Sequence, residues 1–257
     1  MLLASSGPIQ LRQRGRRRGS RLMTTLQQLG AWRDERPTLG VPAGPVLALS
    51  AHPDDESLAF GGTLARLAAA DVGVHVVCVT AGESSLAGLG RTRLGRARLV
   101  ELQLACEWLG ITDVEYLAMP DGRLSTRVDQ LAELLSRRIS RLRPAAVLLP
   151  WWRDAHRDHR ALSAALVAMS GPTQLQVWAG EIWAPLPATH VVDISGSPLV
   201  RKQAALTAYR SAARTLQLDA VLGLNRYRAL AAGPDCEAAE AFVVATLPAY
   251  RELVATT

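Results

Sequence analysis

Residues 45–56 read PVLALSAHPDDE, an apolar run that ends in one imidazole and three carboxylates. A continuous apolar run of this length is typical of a strand that is covered on both faces of a parallel sheet. Carboxylates that lie this close together repel one another and resist leaving water. The stretch therefore predicts a buried strand whose carboxyl end requires a positive charge among its acidic side chains.

Short apolar runs alternate with longer amphipathic runs along the chain after this strand. Three further strands are predicted by VHVVCVT (74–80), VEYLAM (114–119) and AAVLLP (145–150), with helices between them. This alternation predicts an α/β fold with a mostly parallel sheet and right-handed crossovers. Binding sites in such sheets lie at the carboxyl ends of the strands.

The second half of the chain shows weaker patterns. QLQVWAG (174–180) and THVVDIS (189–195) predict short strands, and we expect 198–211 and 238–244 to be largely helical. No internal repeat or linker is visible after Pro45, so residues 23–257 are predicted to form a single domain. Within the first half, Gly110 is predicted to end the helix that precedes it.

The positive charge of the chain is concentrated in its first residues. The formal net charge is +6, and residues 1–22 contain six arginines and no acidic residue, so the remainder is neutral. This stretch has no apolar periodicity, which predicts a disordered basic tail. Met23 follows it directly, so the sequence leaves open whether the tail is part of the natural protein. We expect no nucleic acid as a partner of the domain itself.

The cysteines and the hydropathy pattern indicate a cytoplasmic protein. Cys78, Cys106 and Cys236 are odd in number and widely separated, which favours reduced thiols over a disulfide framework. The longest late apolar run is too short to span a bilayer. The residues after the arginine-rich stretch are too polar for an export signal.

A second polar cluster follows the fourth predicted strand. It reads WWRDAHRDHRAL (151–162) and places His156 and His159 three residues apart. Parallel winding can bring this cluster to the carboxyl end of the first strand, beside His52. Imidazoles and a carboxylate around one divalent ion, with a position open for water, are typical of catalytic zinc sites. Such an ion would also supply the positive charge that the first cluster requires, and Fe²⁺ or another divalent metal would accept the same ligands.

At these residues the sequence resembles the PIG-L/LmbE-like family of zinc-dependent N-deacetylases, which act on molecules that contain N-acetylglucosamine. The resemblance extends from about residue 45 to residue 247, and AHPDDE with a downstream His-x-x-His is its most specific part. It implies a Rossmann-like three-layer fold, in agreement with the strand and helix pattern. The motifs that carry it are AHPDDE, the Thr-x-Gly-Glu of VTAGESS, RLVEL, MPDG and HRDHRAL.

The resemblance implies a role for each residue of the two clusters. His52, Asp55 and His159 would bind the metal, and Asp54 would act as general base on a water that the metal acidifies. His156 would lie opposite Asp54, stabilise the oxyanion and help to protonate the departing amine. The alternatives are a helix- or turn-capping role for His52 beside a salt bridge, and exposed surface positions for the two downstream histidines. Asp54 could instead be the N-cap of the following helix, a role that could coexist with that of a base.

The resemblance also implies contacts to the substrate. Glu83, Arg98 and Asp121 would donate or accept hydrogen bonds with sugar hydroxyls, although Arg98 could equally pair with Glu101 on the same helix. Asp158 could orient one of the two neighbouring histidines. Trp151 and Trp152 could stack on a sugar face or an acyl chain, or belong to the core.

The predicted function is hydrolysis of the amide that joins an acetyl or other acyl group to an amino sugar of the N-acetylglucosamine type, or to its conjugate. One alternative is hydrolysis of a non-sugar amide or thiol conjugate at the same site. Another is a non-catalytic protein whose basic tail binds nucleic acid. The loops 84–90 and 180–187, which would select the substrate, carry no interpretable pattern.

A truncation that begins at Met23 separates the enzymatic from the nucleic-acid alternative. Because every predicted site residue lies after residue 50, we expect the truncated protein to release amine from an N-acetylated sugar with an unchanged kcat/KM. Loss of activity on truncation, accompanied by loss of binding to a DNA or RNA duplex in the same buffer, would instead support the tail as the functional element.

Overall fold

An eight-stranded, mostly parallel sheet organises the protein in a computed structural model that describes residues 37–84, 90–212 and 217–256. Every neighbouring pair of strands is parallel except the two pairs that involve β8. The predicted tail, residues 1–22, lies outside the described residues. The strands, in chain order, are β1 Thr38–Leu39, β2 Val46–Ser50, β3 Val74–Cys78, β4 Asp113–Tyr116, β5 Ala146–Pro150, β6 Gln176–Gly180, β7 His190–Asp193 and β8 Ala239–Thr246, arranged as β1-β7-β8-β6-β5-β2-β3-β4.

Helices cover both faces of this sheet, which gives the three-layer α/β fold that was predicted. On one face, α1, α2 and α5 pack together, and on the other α3 packs on α4. No helix within the described ranges is both long enough and apolar enough to cross a membrane. The helices are α1 Asp55–Ala69, α2 Arg91–Leu109, α3 Val128–Leu142, α4 Arg157–Ala168, α5 Ser197–Ala208, α6 Leu218–Ala232 and α7 Leu247–Ala255, with short 3₁₀ turns at Leu124–Thr126 and Arg210–Ala212.

β2 lies at the centre of the parallel part of the sheet, as its apolar sequence predicts. It pairs with β3 on one side and β5 on the other, and all five of its residues are buried. Val46 and Ala48 contribute to the core on the side of α1, α2 and α5. A strand covered on both faces has no position for a polar residue in its interior, which explains the unbroken apolar run.

The end of α2 confirms the predicted role of Gly110. This glycine adopts a left-handed conformation with φ of 84°, and the N–H of Ile111 donates to the carbonyl of Cys106 at 2.8 Å. A residue with a Cβ atom would be strained at this φ, so glycine is favoured where the chain turns from α2 towards β4.

The helical prediction for residues 238–244 is wrong, because β8 occupies Ala239–Thr246. Alanine and glutamate at 237–241 favour a helix locally, but β8 lies between β6 and β7 and forms antiparallel ladders with both. The hydrogen bonds from two neighbours outweigh the weak local preference. The predicted helix at 198–211 is present as α5 and the 3₁₀ turn after it.

A buried ion pair joins two halves of α1. The helix is interrupted at Phe60, where φ is −146° and ψ is 20°. Lys202 Nζ donates to the carbonyl of Leu58 at 2.9 Å, and Glu240 accepts from the N–H groups of Gly62 and Thr63 at 2.9 and 2.7 Å. These bonds occupy backbone groups that a broken helix would otherwise leave unpaired in the core.

The two side chains of this pair also neutralise each other. Lys202 Nζ lies 2.6 Å from Glu240 Oε1, and both residues are fully buried. Lys202 lies on α5 and Glu240 on β8, so the pair fastens α1 to a second helix and to the sheet. Removal of either charge leaves the other uncompensated in a medium of low dielectric constant.

We expect Lys202→Met to lower the free energy of unfolding by about 3–5 kcal/mol, because Glu240 would remain charged and unpaired in the core. The double variant Lys202→Met/Glu240→Gln should lose less than the sum of the single variants, as measured by urea denaturation. The exposed pair of Glu133 and Arg137 on α3 gives the matched control, and Arg137→Met should cost less than about 1 kcal/mol. Equal losses at the two pairs would contradict a structural role for the buried pair.

Candidate active site

Two loops meet at the carboxyl ends of β2 and β5, because these strands are parallel neighbours in the sheet. The loop after β2 carries His52, and the loop after β5 leads to His156 and His159. The ring centroid of His52 lies 4.6 Å from that of His156 and 5.5 Å from that of His159. Three of the five histidines of the chain therefore converge on one point at the edge of the sheet.

The structure brings the three predicted metal ligands within reach of one another. Asp55, the first residue of α1, places Oδ1 3.1 Å from His159 Nε2 and Oδ2 3.6 Å from His52 Nδ1. All three residues are buried. Neither ring nitrogen of His159 forms a hydrogen bond, although both face carboxylates. Buried imidazole nitrogens without hydrogen bonds, beside a carboxylate, fit a divalent metal ion.

His52 also faces two carboxylates with its other nitrogen. Its Nε2 lies 3.2 Å from Asp121 Oδ1 and 3.3 Å from Asp158 Oδ2. Two overlapping sets of side chains in the described part of the chain could each hold a metal ion, with ligand atoms within 4.8 Å of one another. These sets are His52, His156 and His159, and His52, Asp121 and Asp158; neither contains Asp55, which faces His52 and His159 with different oxygens.

The carboxylates strongly favour positive charge on the imidazoles. Burial by itself would lower the pKa of His52 and His159, but the close contacts and charge interactions with the surrounding carboxylates outweigh it. The pKa of His52 rises well above its usual value and that of His159 rises to about 9. A divalent cation would supply the same compensation in place of the protons.

Asp54 pairs with Arg98, whereas the side chain of its neighbour Asp55 contacts two histidines. It precedes α1 with φ of 116°, a strained conformation for a residue other than glycine, and its side chain forms no capping hydrogen bond. Its Oδ2 instead accepts from Arg98 at 2.8 Å. Burial raises the pKa of Asp54 to about 7, although Arg98 opposes this rise. Asp54 is therefore the N-cap residue of α1 by position, as the alternative predicted, but its side chain does not cap the helix.

Arg98 donates hydrogen bonds to Asp54 and to two backbone carbonyls, and it does not pair with Glu101. Besides Asp54, it donates to the backbone carbonyls of Pro53 and Gly82, and it is buried. Glu101 accepts from Ser211 instead. Arg98 thus holds the carboxylate of Asp54 in place, in addition to lining the cavity described next.

A cavity of about 320 Å³ opens beside these side chains. His52, Asp54 and His156 line it together with the predicted substrate contacts Arg98 and Asp121. The third predicted contact, Glu83, does not line it among the described residues. Its Oε1 accepts from the N–H of Asp121 at 3.1 Å, which places Glu83 behind that loop.

Asp121 remains ionised beside the cavity. Burial would raise its pKa, but hydrogen bonds from His52 and the N–H of Ser84 lower it to about 2. Of the loop predicted to select the substrate, 84–90, residues 85–89 lie outside the described residues. The second such loop, 180–187, is described and contributes Trp183 to the cavity wall.

His156 is the N-cap residue of α4, and it is half-buried at the cavity rather than on an open surface. Its Nδ1 accepts from the N–H of Asp158 at 3.2 Å. In the neutral imidazole the proton therefore lies on Nε2, which makes Nε2 a donor. Burial, reinforced by the charges of His52 and His159, lowers the pKa of His156 and favours this neutral form.

The prediction that the Asp158 side chain orients His156 or His159 is wrong. Its carboxylate faces His52 and accepts from the N–H groups of Gly122 and Leu124 at 2.7 and 3.3 Å. Asp158 lies in the first turn of α4, where its side chain projects towards the loop after β4. Its contact with His156 is made through its backbone N–H.

Besides Asp55, a second carboxylate faces His159: Asp154, which was not predicted from the sequence. Its Oδ1 lies 3.0 Å from His159 Nδ1 and accepts from the N–H of His156 at 2.8 Å. Its Oδ2 accepts from the N–H of Trp183 at 3.0 Å, and Asp154 is 1% exposed. The local sequence RDAHRDH offers two acidic residues near the histidines, and spacing alone does not distinguish them.

Trp151 and Trp152 belong to the core and do not line the cavity, which was one of the two alternatives predicted for them. They are 7% and 6% exposed, and Trp152 packs edge-on against Tyr250 of α7. Among the described residues, Trp183 is the tryptophan that lines the catalytic cavity.

Sequence comparison relates this region to known deacetylases. Residues 47–170 match the family described as PIG-L, GlcNAc-PI de-N-acetylase. A 1D-myo-inositol 2-acetamido-2-deoxy-alpha-D-glucopyranoside deacetylase of Actinosynnema mirum is 46% identical over 81 residues, which are 28% of this chain and 29% of that protein. A probable N-acetyl-alpha-D-glucosaminyl L-malate deacetylase 2 of Bacillus cereus is 32% identical over 130 residues, 48% of this chain and 59% of that protein. The chain thus matches less than two thirds of the length of either relative.

Structural comparison extends the similarity over most of the chain. The crystal structure of a conserved protein from Thermus thermophilus superposes with a TM-score of 0.67 at 29% sequence identity. The superposition covers 78% of this chain and 94% of that one. The three-layer architecture is therefore shared beyond residues 47–170.

We expect Asp154→Ala to weaken zinc binding by about 10- to 100-fold, because His159 would lose the carboxylate that orients it. Asp154→Asn keeps an acceptor oxygen and should fall between the alanine variant and the wild type. A competition titration with a zinc chelator measures the affinity, and Asp129→Asn on the exposed face of α3 serves as the control. Unchanged zinc affinity in the alanine variant would exclude this role for Asp154.

Proposed function

We propose that the chain contains a PIG-L family domain and that this domain hydrolyses the amide between an acetyl or other acyl group and the amine of an N-acetylglucosamine-type sugar or its conjugate. One observation carries the proposal: the carboxylate of Asp55 approaches the imidazoles of both His52 and His159, and His52 also lines one cavity together with Asp54 and His156. The deacetylase names of the two relatives support the same reaction.

We propose Zn²⁺ as the metal, held by His52, Asp55 and His159. Two imidazoles and one carboxylate suit zinc, and Fe²⁺ accepts the same donors. When bound, the metal would polarise the amide carbonyl and make a nearby water more acidic.

Asp54 is the proposed general base. A carboxylate whose pKa is raised to about 7 is a sufficiently strong base to take a proton from water near neutral pH. Arg98 holds its Oδ2 at 2.8 Å, which orients the carboxylate and leaves Oδ1 for the proton transfer. The strained backbone at Asp54 separates this carboxylate from that of Asp55, so the two neighbours serve different functions.

His156 is the proposed partner for the developing oxyanion. Its Nδ1 is occupied by the N–H of Asp158, so Nε2–H is the group available for donation. Donation to the carbonyl oxygen favours the tetrahedral geometry over the planar amide. The proton that Asp54 takes from the water can then pass to the amine as it departs, while the neutral His156 keeps its Nε2–H bond to the oxygen.

The cavity supplies the sugar contacts in this proposal. Its volume of about 320 Å³ lies at the lower end of the range of about 300–1,000 Å³ for small-ligand sites. Ser84, Asp121 and Arg157 line it and offer both donors and acceptors for hydroxyl groups. A monosaccharide with its acyl group is therefore the favoured size of ligand.

A cytoplasmic location is proposed on the state of the thiols. Cys78, Cys106 and Cys236 are all free, and the first two are buried. Free thiols are typical of reducing compartments.

We expect Asp54→Asn to lower kcat about 10²- to 10⁴-fold, because the amide cannot accept the proton. Zinc content should stay at one ion per chain, since the proposed ligands are retained. Amine release from N-acetylglucosamine and elemental analysis of the same sample measure the two quantities. Asp219→Asn on α6 is the control and should match the wild type; undiminished turnover in Asp54→Asn would remove Asp54 from the reaction.

A further inference from the structure

A second cavity lies next to the catalytic one and shares a wall with it. It has a volume of about 380 Å³ and is bounded by α1, the loop 181–187, α6 and β8. Trp183 lines both cavities and is 53% exposed. Trp183 therefore borders both the catalytic cavity and a neighbouring space that the reaction described above does not use.

The lining of this second cavity is mainly apolar. Leu58 and Ala59 contribute from α1, Ile182 from the loop, and Val221 and Leu224 from α6. Apolar side chains around a concave space favour an apolar ligand group, because burial removes its surface from water.

The charged group in this lining is already compensated. Glu181 accepts from Arg228 Nε at 2.9 Å and from Arg228 Nη2 at 2.6 Å, and its Oε2 also accepts from the N–H of Leu186. Among the described lining residues, no other side chain carries a formal charge. The cavity therefore does not favour an ionic ligand.

Asn225 provides one polar feature in the apolar wall. Its Nδ2 donates to the carbonyl of Ala239 at 3.1 Å, whereas Oδ1 is buried and has no hydrogen-bond partner. A buried acceptor without a partner is unfavourable in the free protein. A ligand that carries a hydroxyl or N–H group could satisfy it.

Two elements connect the second cavity to the catalytic residues. Leu58 and Ala59 lie within the first turns of α1, three and four residues after Asp55. The N–H of Trp183 donates to Asp154, whose other oxygen faces His159. A ligand that extends past Trp183 can therefore occupy both cavities at once.

We propose that this second cavity binds an apolar group that the substrate carries outside its sugar ring. The inference rests on the proposed function, since it assumes that the sugar amide occupies the catalytic cavity. That cavity has a volume of only about 320 Å³, so a substituent such as an aryl ring or an alkyl chain requires additional space. The substituent can be attached through the glycosidic oxygen or can be the acyl chain itself, and both have the same apolar chemistry.

Paired substrates test the proposal with the full-length, zinc-loaded protein. In one arm, kcat/KM for amine release is compared between the methyl and 4-methylphenyl glycosides of N-acetylglucosamine. In the other arm, the methyl glycosides with N-acetyl and N-hexanoyl groups are compared. We expect the apolar member of one pair to be preferred by about 10- to 100-fold, and the preferred arm identifies the attachment point.

Variants on α6 link this preference to the cavity. Val221→Trp and Leu224→Trp each place an indole in the space, so the preference should fall to less than about threefold. Leu230→Trp adds the same group on the same helix at a position that is 77% exposed and outside the lining, and it should keep the preference. Circular dichroism establishes that each variant is folded before its kinetics are compared.

The possible outcomes distinguish this inference from the proposed function. Amine release with equal kcat/KM for all four substrates would overturn the second cavity and leave the deacetylase proposal intact. A preference that persists in a folded Val221→Trp or Leu224→Trp variant would also overturn it. Absence of amine release from every substrate would reject the proposed function, and with it the inference.

Discussion

Repulsion among buried carboxylates at the carboxyl end of β2 is the constraint on which the site depends. Three consecutive acidic residues are buried there, and each is compensated by different groups. Asp55 faces two imidazoles, Asp54 pairs with Arg98, and Glu56 accepts hydroxyl hydrogen bonds from Ser57 and Tyr209. The positive φ at Asp54 permits neighbouring side chains to point in different directions. One short loop can thereby supply the proposed metal ligand, the proposed base and a structural anchor.

The sheet determines where these groups meet. β2 and β5 are parallel neighbours, so the loops after them end at the same edge. The buried pair of Lys202 and Glu240 bonds to the backbone of α1 on both sides of the break at Phe60. The interruption of α1 at Phe60 is therefore the place where α1, α5 and β8 are joined by hydrogen bonds.

Asp154 links the proposed metal centre to the two cavities. One carboxylate contacts the imidazole of His159, the backbone of His156 and the backbone of Trp183. Trp183 in turn lines both the proposed catalytic cavity and the apolar one. The groups proposed for catalysis and for substrate selection therefore share a buried hydrogen-bond network, so a change in the loop 181–187 bears directly on a proposed metal ligand.

The sequence by itself determined the parallel strands and the two histidine-bearing clusters, because an apolar run and a His-x-x-His spacing are local patterns. The tertiary structure alone decided what depends on distant partners. β8 was predicted as a helix because its two ladders come from strands that are remote in the chain. Arg98 meets Asp54 across 44 residues, and Asp154 rather than Asp158 faces His159, because the turn before α4 directs the two carboxylates apart. Local spacing limits which groups can meet, but only the folded backbone sets the direction of each side chain.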